Sequence, residues 1–361
     1  MIENKNAKRV WFITDTHLGV KNNSAEWIES MREYFFNWFF PLIEKEYKEG
    51  DVLLHLGDWY DSRQSVNLRV LNLGVDIAEK MSSIFKDGIY VLIGNHDAWN
   101  KSTNDINSLK SIKWIPNLTI FEEPETLKLG NKTFCMMPWR KDQEAESETL
   151  NSFGSHDYLC CHTDIRGVKF NKHVNVEKGI DISEVKKFGR VYSGHIHFSQ
   201  KSGNVIMLGS PYEITRSDMD NPKFILRLNL ETGEETAFKN NFSPRFMRIL
   251  FTDVLESTPI ELSERFSNNF VDVMIDPKMA LKAPLNLLTD EVESARKITF
   301  HPFDPDKSSG ISSQMYDSTG KQFNVLEFIK EYIKMQTYDE DTQKRLLSSL
   351  TNLYKRTINE D

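Results

Sequence analysis

Five short apolar runs in the first 200 residues each stop at a cluster of Asp, His or Asn. No other feature constrains the fold as strongly. RVWFI closes on Asp15 and His17, and DVLLHL closes on Asp58 and Asp61. IYVLI closes on Asn95, His96 and Asp97, DYLCC on His162, and RVYS on His195 and His197. Apolar runs punctuated by Gly read as buried strands, and ligands of open α/β sheets bind beyond the carboxyl ends of strands. The pattern therefore predicts one sheet edge that gathers polar side chains from distant parts of the chain.

Helical patterns separate the early strands. Residues 24–50 read as a helix with Ser24 as its N-cap, Gly50 as its stop and Pro41 interrupting it; residues 65–88 read as a second. KTFCMMP, NVIMLGSP and KFILRLNL add further short strands. Strands alternating with helices, then following one another, predict a layered α/β sandwich with a mixed sheet over residues 1–242. Past about residue 243 the pattern resets to a small strand–helix–strand unit, a cap domain over 243–303. Residues 304–321 are rich in Asp, Ser, Gly and Pro and read as a linker. Residues 322–361 carry two apolar stripes at helical spacing: Val325, Leu326, Ile329, Tyr332 and Ile333, then Leu346, Leu347, Leu350, Leu353 and Tyr354.

Composition removes several function classes. No apolar stretch approaches the roughly 20 residues that span a bilayer, and the N-terminus enters a strand pattern with no signal-like segment, so no membrane role is expected. Cys135, Cys160 and Cys161 are odd in number and lack CxxC spacing, which argues against a disulfide framework or a zinc–thiolate site and points to a cytoplasmic setting. A net charge of −8 does not advertise a polyanion partner; contact with DNA would need local basic groups or bound metal.

The polar clusters have the chemistry of a metal centre. Residues i and i+2 of an extended chain point the same way, so Asp15 with His17, and His195 with His197, can each offer two ligands to one side. Glycines before Asp58, Asn95 and His195 allow tight turns and close backbone approach. Two Asp, one Asn and four His form an imidazole and oxygen set without thiolate, suited to manganese, iron or zinc. Seven ligands are too many for one tetrahedral ion and fit two ions about 3.5–4 Å apart that lower the pKa of a shared water. Manganese is the expected ion, with magnesium, iron or zinc as alternatives. Asp97 reads as a structural acceptor of loop amides, and His55 as a core histidine.

D-x-H, GDxxD, GNHD, H and GHxH, in that order, resemble the calcineurin-like metallophosphoesterases. More narrowly, DTHLGVKNNSAEW, GDWYDSR, IGNHD, MPWR, YSGHIH and LGSPYEIT are similar to recombination nuclease subunits of the SbcD type, especially T-even phage relatives. The resemblance implies a four-layer metallophosphoesterase sandwich of two mixed sheets flanked by helices. It implies one metal on Asp15, His17, Asp58 and His197, and a second on Asp58, Asn95, His162 and His195. His96 would protonate the leaving oxygen, oriented by the carboxylate of Asp61. It further implies a DNA exonuclease and single-strand endonuclease that forms a homodimer with an SbcC-type, SMC-like ATPase in break repair, recombination and replication. The C-terminal helices would dock the ATPase coiled coil, and a phage protein would act in host cytoplasm. Helix 65–87 and segment 105–115 are candidates for the dimer contact.

Arg63, Arg140, Lys169 and Lys172 are candidate DNA contacts. A small-substrate phosphatase or cyclic-nucleotide phosphodiesterase is the alternative. The protein-phosphatase signatures GDxxDRG and GNHE are not matched, because Arg63 comes one place late and the third motif ends in Asp97. A non-enzymatic scaffold should lack ligands, and here every ligand position is filled.

Overall fold

The computed structural model describes residues 1–99, 103–140, 142–154, 156–276, 295–302, 339 and 342–349. Two sheets stack through an apolar interior. The first runs in the order Glu235–Lys239, Phe224–Asn229, Arg9–Ile13, Asp51–His55, Ile89–Leu92, Leu118–Phe121. Its last four strands are mutually parallel, and Phe224–Asn229 is antiparallel to both of its neighbours. The second has seven strands, with Lys132–Met137, Tyr158–Cys161, Arg190–Ser193 and Val205–Met207 parallel at its centre.

Strand alternation sorts the side chains into layers. Along Arg9–Ile13, Val10 and Phe12 enter the core between the sheets, where they join Leu54, Leu92, Phe134, Met136 and Tyr192. Trp11 and Ile13 face the other way, onto helices that contribute Ile28, Met31, Tyr34, Ile77 and Met81. Beyond the second sheet, Leu159, Cys161, Val191 and Met207 pack under Leu150, Val168, Val185 and Phe188. The result is helix, sheet, sheet, then a fourth layer whose described residues form the helix Gln143–Ser152, the short parallel strands Ile165–Arg166 and Ile180–Asp181, and irregular chain. This is the expected four-layer sandwich with mixed sheets, its last layer less helical than anticipated. The three cysteines are buried and unpaired.

The first helical region is more interrupted than expected. Ser24 caps Ala25–Glu33, accepting the Trp27 amide at 3.4 Å, but residues Tyr34–Phe39 form a π-helix before Phe40–Glu46 resumes. Phe40 donates to Phe35, five residues back. Pro41 has no N–H, and its ring would crowd the carbonyl four residues earlier; a wider turn there relieves the conflict. Helix Leu68–Ile84 starts at Asn67, whose side chain accepts the Arg69 amide, and buries Val70, Leu73, Ile77, Ala78 and Met81 at helical spacing.

The predicted cap segment contains a three-stranded sheet, Phe246–Leu250, Phe270–Ile275 and Lys297–Pro302. Helices Phe251–Glu256 and Pro259–Phe266 link its first two strands, which are parallel. Its described residues through Met274 and at 295–301 belong to the same compact unit as the sandwich; Ile275, Asp276, Pro302, Asp339 and 342–349 belong to a second. Trp27 stacks on Phe270 with centroids 4.8 Å apart and near-parallel planes, and Asp272 accepts Arg216 at 2.7 Å and His301 at 3.0 Å. The linker 304–321 and the stripe Val325–Ile333 lie outside the described residues. Of the second stripe, Leu346 and Leu347 fall in the helix at 342–349, half-buried; Leu350, Leu353 and Tyr354 lie outside.

Trp27 is thus the aromatic pin between the sandwich and the third sheet. Trp27→Ala is expected to destabilise the protein by about 3–5 kcal/mol, the usual cost of deleting a buried large aromatic. Urea denaturation checks this, and an unchanged midpoint would show that the stack contributes nothing.

Candidate metal centre

The strand ends are held together before any side chain is considered. The chain after Arg9–Ile13 and the chain after Asp51–His55 run on as a backbone zipper. Asp15 N donates to Gly57 O, His17 N to Asp58 O, Leu18 N to Trp59 O and Asp61 N to Leu18 O, all at 2.9–3.0 Å. The third loop is tied in by Asp97, whose buried carboxylate accepts amides of Gly94 at 2.9 Å, Trp59 at 3.1 Å and Tyr60 at 3.2 Å. Burial, then the Asp58 charge, pushes Asp97 up to about 7 although those amides oppose the shift. The fifth loop is tied in by His195, whose amide donates to Asp15 at 3.0 Å.

Asp15, His17, Asp58 and His195 all have positive φ, between 43° and 76°. Non-glycine residues seldom adopt this region, and it persists only where surroundings over-determine it. The extended-chain argument for ligands two apart is therefore corrected: turns, not strand alternation, aim these side chains. His195 and His197 consequently diverge. His195 Nδ1 lies 2.7 Å from Asn95 Oδ1, whereas His197 Nε2 lies 3.0 Å from His17 Nε2.

All seven expected ligands meet in one place. Asp15, His17 and His197 can present one atom each within 4.8 Å of one another, as can Asp58, His162 and His195, and His17, Asp58 and His96. Asp58 Oδ2 lies 3.4 Å from His17 Nε2 and 3.3 Å from His162 Nε2, so one carboxylate stands between the two groups. Asn95 Oδ1 is 3.0 Å from His162 Nε2.

The donor set fits cations. His162 Nδ1 is 2.7 Å from the Leu56 carbonyl, which can only accept, so the proton of a neutral ring sits on Nδ1. Its bare Nε2 then faces two oxygens, Asn95 Oδ1 and Asp58 Oδ2. His17 repeats the arrangement, with Nδ1 3.0 Å from Asp61 Oδ1 and Nε2 turned to Asp58 and His197. Acceptors facing acceptors in a buried site repel unless a proton or a metal ion lies among them. Without metal, protons take that place. Burial alone depresses His17, yet hydrogen bonding to Asp61 and the charges of Asp58 and Asp15 raise it to about 9. For His162, burial is likewise outweighed by Asp58 and Asp15, again to about 9. His197 is held down to about 4 by burial and the His17 charge, and Asp58 lies well below the carboxylate range through His162 and His17 despite its burial.

His96 lies at the open side, its side chain 33% exposed. Its amide donates to Asp58 Oδ1 at 2.7 Å, and its Nδ1 is 2.6 Å from the backbone carbonyl of Asp61. The expected pairing with the Asp61 carboxylate is replaced: that group is 3.9 Å from His96 and instead bonds His17. The imidazole pKa is lowered rather than raised, because burial outweighs the pull of Asp58.

Sequence reasoning missed the outer supports. Asp164 Oδ1 is 3.1 Å from His195 Nε2, and a carboxylate there fixes which ring nitrogen is bare. Trp139 tilts over His195 with centroids 5.1 Å apart. Buried Lys223 donates to the His197 carbonyl at 2.8 Å, Ser210 at 3.1 Å and Asp218 at 2.8 Å. Asp164 and Trp139 adjoin recognised motifs, but no spacing rule links Lys223 to His197. His55 is the expected core histidine, bonded to Thr16 and held down to about 3 by burial and the His162 charge. Of the candidate DNA contacts, Arg140 is paired with Glu123 and Lys172 with Asp220; Arg63 Nε is buried without a partner. The Lys169 backbone is held by Gln200.

Two outcomes follow. A Cβ on Gly94 would lie 2.2 Å from both the backbone N and Oδ1 of Asp58. Gly94→Ala is therefore expected to displace that carboxylate and weaken Mn2+ binding at least tenfold by calorimetry; an unaltered affinity would show that Asp58 is dispensable. Cation binding must also expel the protons on His17 and His162, whose metal-free pKa values are about 9. Affinity should accordingly climb with pH towards 9, by up to about tenfold per pH unit for each proton released. Titration in buffers of different protonation enthalpy measures that release, and a pH-independent affinity from 6 to 8 would contradict it.

Parts of this sequence are similar to known proteins. Exonuclease subunit 1 of Enterobacteria phage T4 is 25% identical over 233 residues, covering 63% of this chain and 66% of that protein, just under two thirds of its length. An archaeal phosphodiesterase structure aligns with TM-score 0.34 and 14% identity over 64% of this chain and 99% of its own. A protein of unknown function from Aquifex aeolicus aligns with TM-score 0.26 and 20% identity over 50% and 93%. Structural likeness at that level supports no assignment. Residues 8–233, more than half of the chain, match the calcineurin-like phosphoesterase family, and the chain belongs to that family of hydrolytic enzymes.

Proposed function

We propose that this chain is a DNA nuclease subunit whose seven convergent side chains hold paired divalent cations, manganese foremost. One cation would be held by Asp15, His17, Asp58 and His197, the other by Asp58, Asn95, His162 and His195. The observation that carries the reading is the placement of Asp58 Oδ2 within 3.4 Å of imidazole nitrogens from both groups. DNA as substrate rests on similarity to the phage exonuclease subunit. When bound, the cations supply Lewis acidity that lowers the pKa of water and offsets charge on a phosphodiester.

The chain's own residues do the rest. His96, at the open side, delivers a proton from Nε2 to the departing sugar oxygen, because Nδ1 is committed to the Asp61 carbonyl. Burial lowers its pKa, which makes the protonated ring a stronger acid and reduces the fraction protonated near neutral pH. Asp61 orients two imidazoles at once, His17 through its carboxylate and His96 through its backbone. The reaction is exonucleolytic on duplex ends and endonucleolytic on single strands, within break repair, recombination and replication.

The partners we propose are an SbcC-type, SMC-like ATPase docked by residues 322–361 and a second copy of this chain. For the second copy, Leu68 is 73% and Trp114 62% exposed. An open depression of about 470 Å3 lies among Leu71, Asn72, Val75, Asp76 and Ser111. The setting is cytoplasmic, that of the host for a phage protein.

The test is Mn2+-dependent digestion of end-labelled duplex and circular single strands. His96→Ala is expected to bind Mn2+ like the wild type and to cut at least about 100-fold more slowly, the usual scale for losing a general acid. Equal cutting would remove His96 from the mechanism. A wild type that hydrolyses p-nitrophenyl phosphate but no DNA would favour the small-substrate phosphatase reading.

A further inference from the structure

Residues 168–176 form a hairpin with an unusual tip. Val168 and Val176 are buried at its base. Between them Lys169 pairs with Asn175, Phe170 N donates to Val174 O at 2.8 Å, and Asn171 Oδ1 accepts the amides of His173 and Val174 at 2.8 and 2.9 Å. The tip is thus a defined turn, and it presents Phe170 and Val174 to solvent at 53% and 50% exposure. Single exposed apolar residues are ordinary. Two on one ordered turn, beside lysines, suggest a surface that is covered in use.

Its position links it to the metal centre. Gln200 grips the hairpin backbone at both polar groups of Lys169, at 2.8 and 2.5 Å. Gln200 is three residues past His197 and pairs in register with Met207, which pairs with Ser193, the last strand residue before His195. The hairpin is therefore anchored to the end of the second sheet from which His162, His195 and His197 follow. A second strut joins Lys172 to Asp220 at 2.9 Å, and the next residue, Asn221, accepts the Ser199 amide at 2.8 Å.

From Arg166 to Lys178 the chain carries four basic side chains and one acidic one, in a protein of net charge −8. Arg166 and Lys172 are paired, whereas among the described residues the Lys169 ammonium has no partner. We propose that this hairpin docks unpaired DNA, with Phe170 as a stacking platform for one base and Lys169 on an adjacent phosphate. The proposal rests on the nuclease reading above and specifies where its single-stranded substrate is held. An aromatic ring can stack only on a base that has left its duplex stack, and it does so with little sequence preference. A protein partner fits less well, because two apolar side chains fall far below the roughly 1,000 Å2 of a specific interface.

The full chain is titrated, without added metal, with labelled oligo-dT and with a duplex of equal length. Phe170→Ala is expected to weaken oligo-dT binding about tenfold and duplex binding less than about twofold, in line with one lost stacking contact. Phe170→Trp should restore oligo-dT binding and show quenching of the added indole. Thermal melting of each variant confirms folding. No weakening, equal weakening on both DNAs, or an indole indifferent to oligo-dT would overturn the proposal. Hydrolysis of bis(p-nitrophenyl) phosphate by the wild type separates the two levels. Hydrolysis of that ester in Mn2+ without cutting of either DNA defeats the nuclease reading and the hairpin with it. Binding and cutting of DNA by a Phe170→Ala variant indistinguishable from wild type defeats the hairpin alone.

Discussion

The Asp58 carboxylate between His17 and His162 is the contact on which the rest of the site depends. One of its oxygens faces two imidazole nitrogens and the other takes the His96 amide, so a single side chain orders three of the five strand-end loops. Burying it is costly unless positive charge lies near. Among the described residues, that charge comes from protons on His162, His17 and His96, or it would come from metal. Backbone zippering, the Asp97 bracket and the Lys223–Asp218 pair all restrict how far this cluster could relax. They convert an electrostatically awkward arrangement into a preorganised one.

Structural support is layered outward. The seven candidate ligands are largely buried, while His96 and Asp61 are about a third exposed at the open side. Asp164 and Trp139 hold the His195 imidazole from behind, and Lys223 holds the His197 backbone. Such supports decide tautomer and orientation, which ligand identity alone does not.

Much of this was legible in the sequence. Strand positions and the order of polar endings were readable because buried strands are apolar and glycines mark their ends. The endings were expected on one sheet edge; instead they come from two sheets, Asp15, Asp58 and Asn95 following strands of the first and His162 and His195 following strands of the second. Other features were not readable for definable reasons. The left-handed backbone at Asp15, His17, Asp58 and His195 breaks the period-two rule, and the enrichment of Asp and His in that region is too weak a signature to place it from sequence. The π-helix depends on how Tyr34–Phe39 packs rather than on propensity. Asp61 was expected to act through its carboxylate; which of its two acceptor groups meets His96 is a matter of loop geometry. Lys223 acts through a backbone carbonyl, and such a contact leaves no motif.

The positive φ at Asp15, His17, Asp58 and His195 also limits how the site can change over generations. Glycine, asparagine, aspartate and histidine tolerate that backbone, whereas β-branched side chains do not. A descendant freed from selection on chemistry would thus be expected to drift at these sites toward small or amide residues and to keep its shape. Inactive homologues would be recognisable by what replaced their aspartates and histidines, even where their sheets superpose on this one.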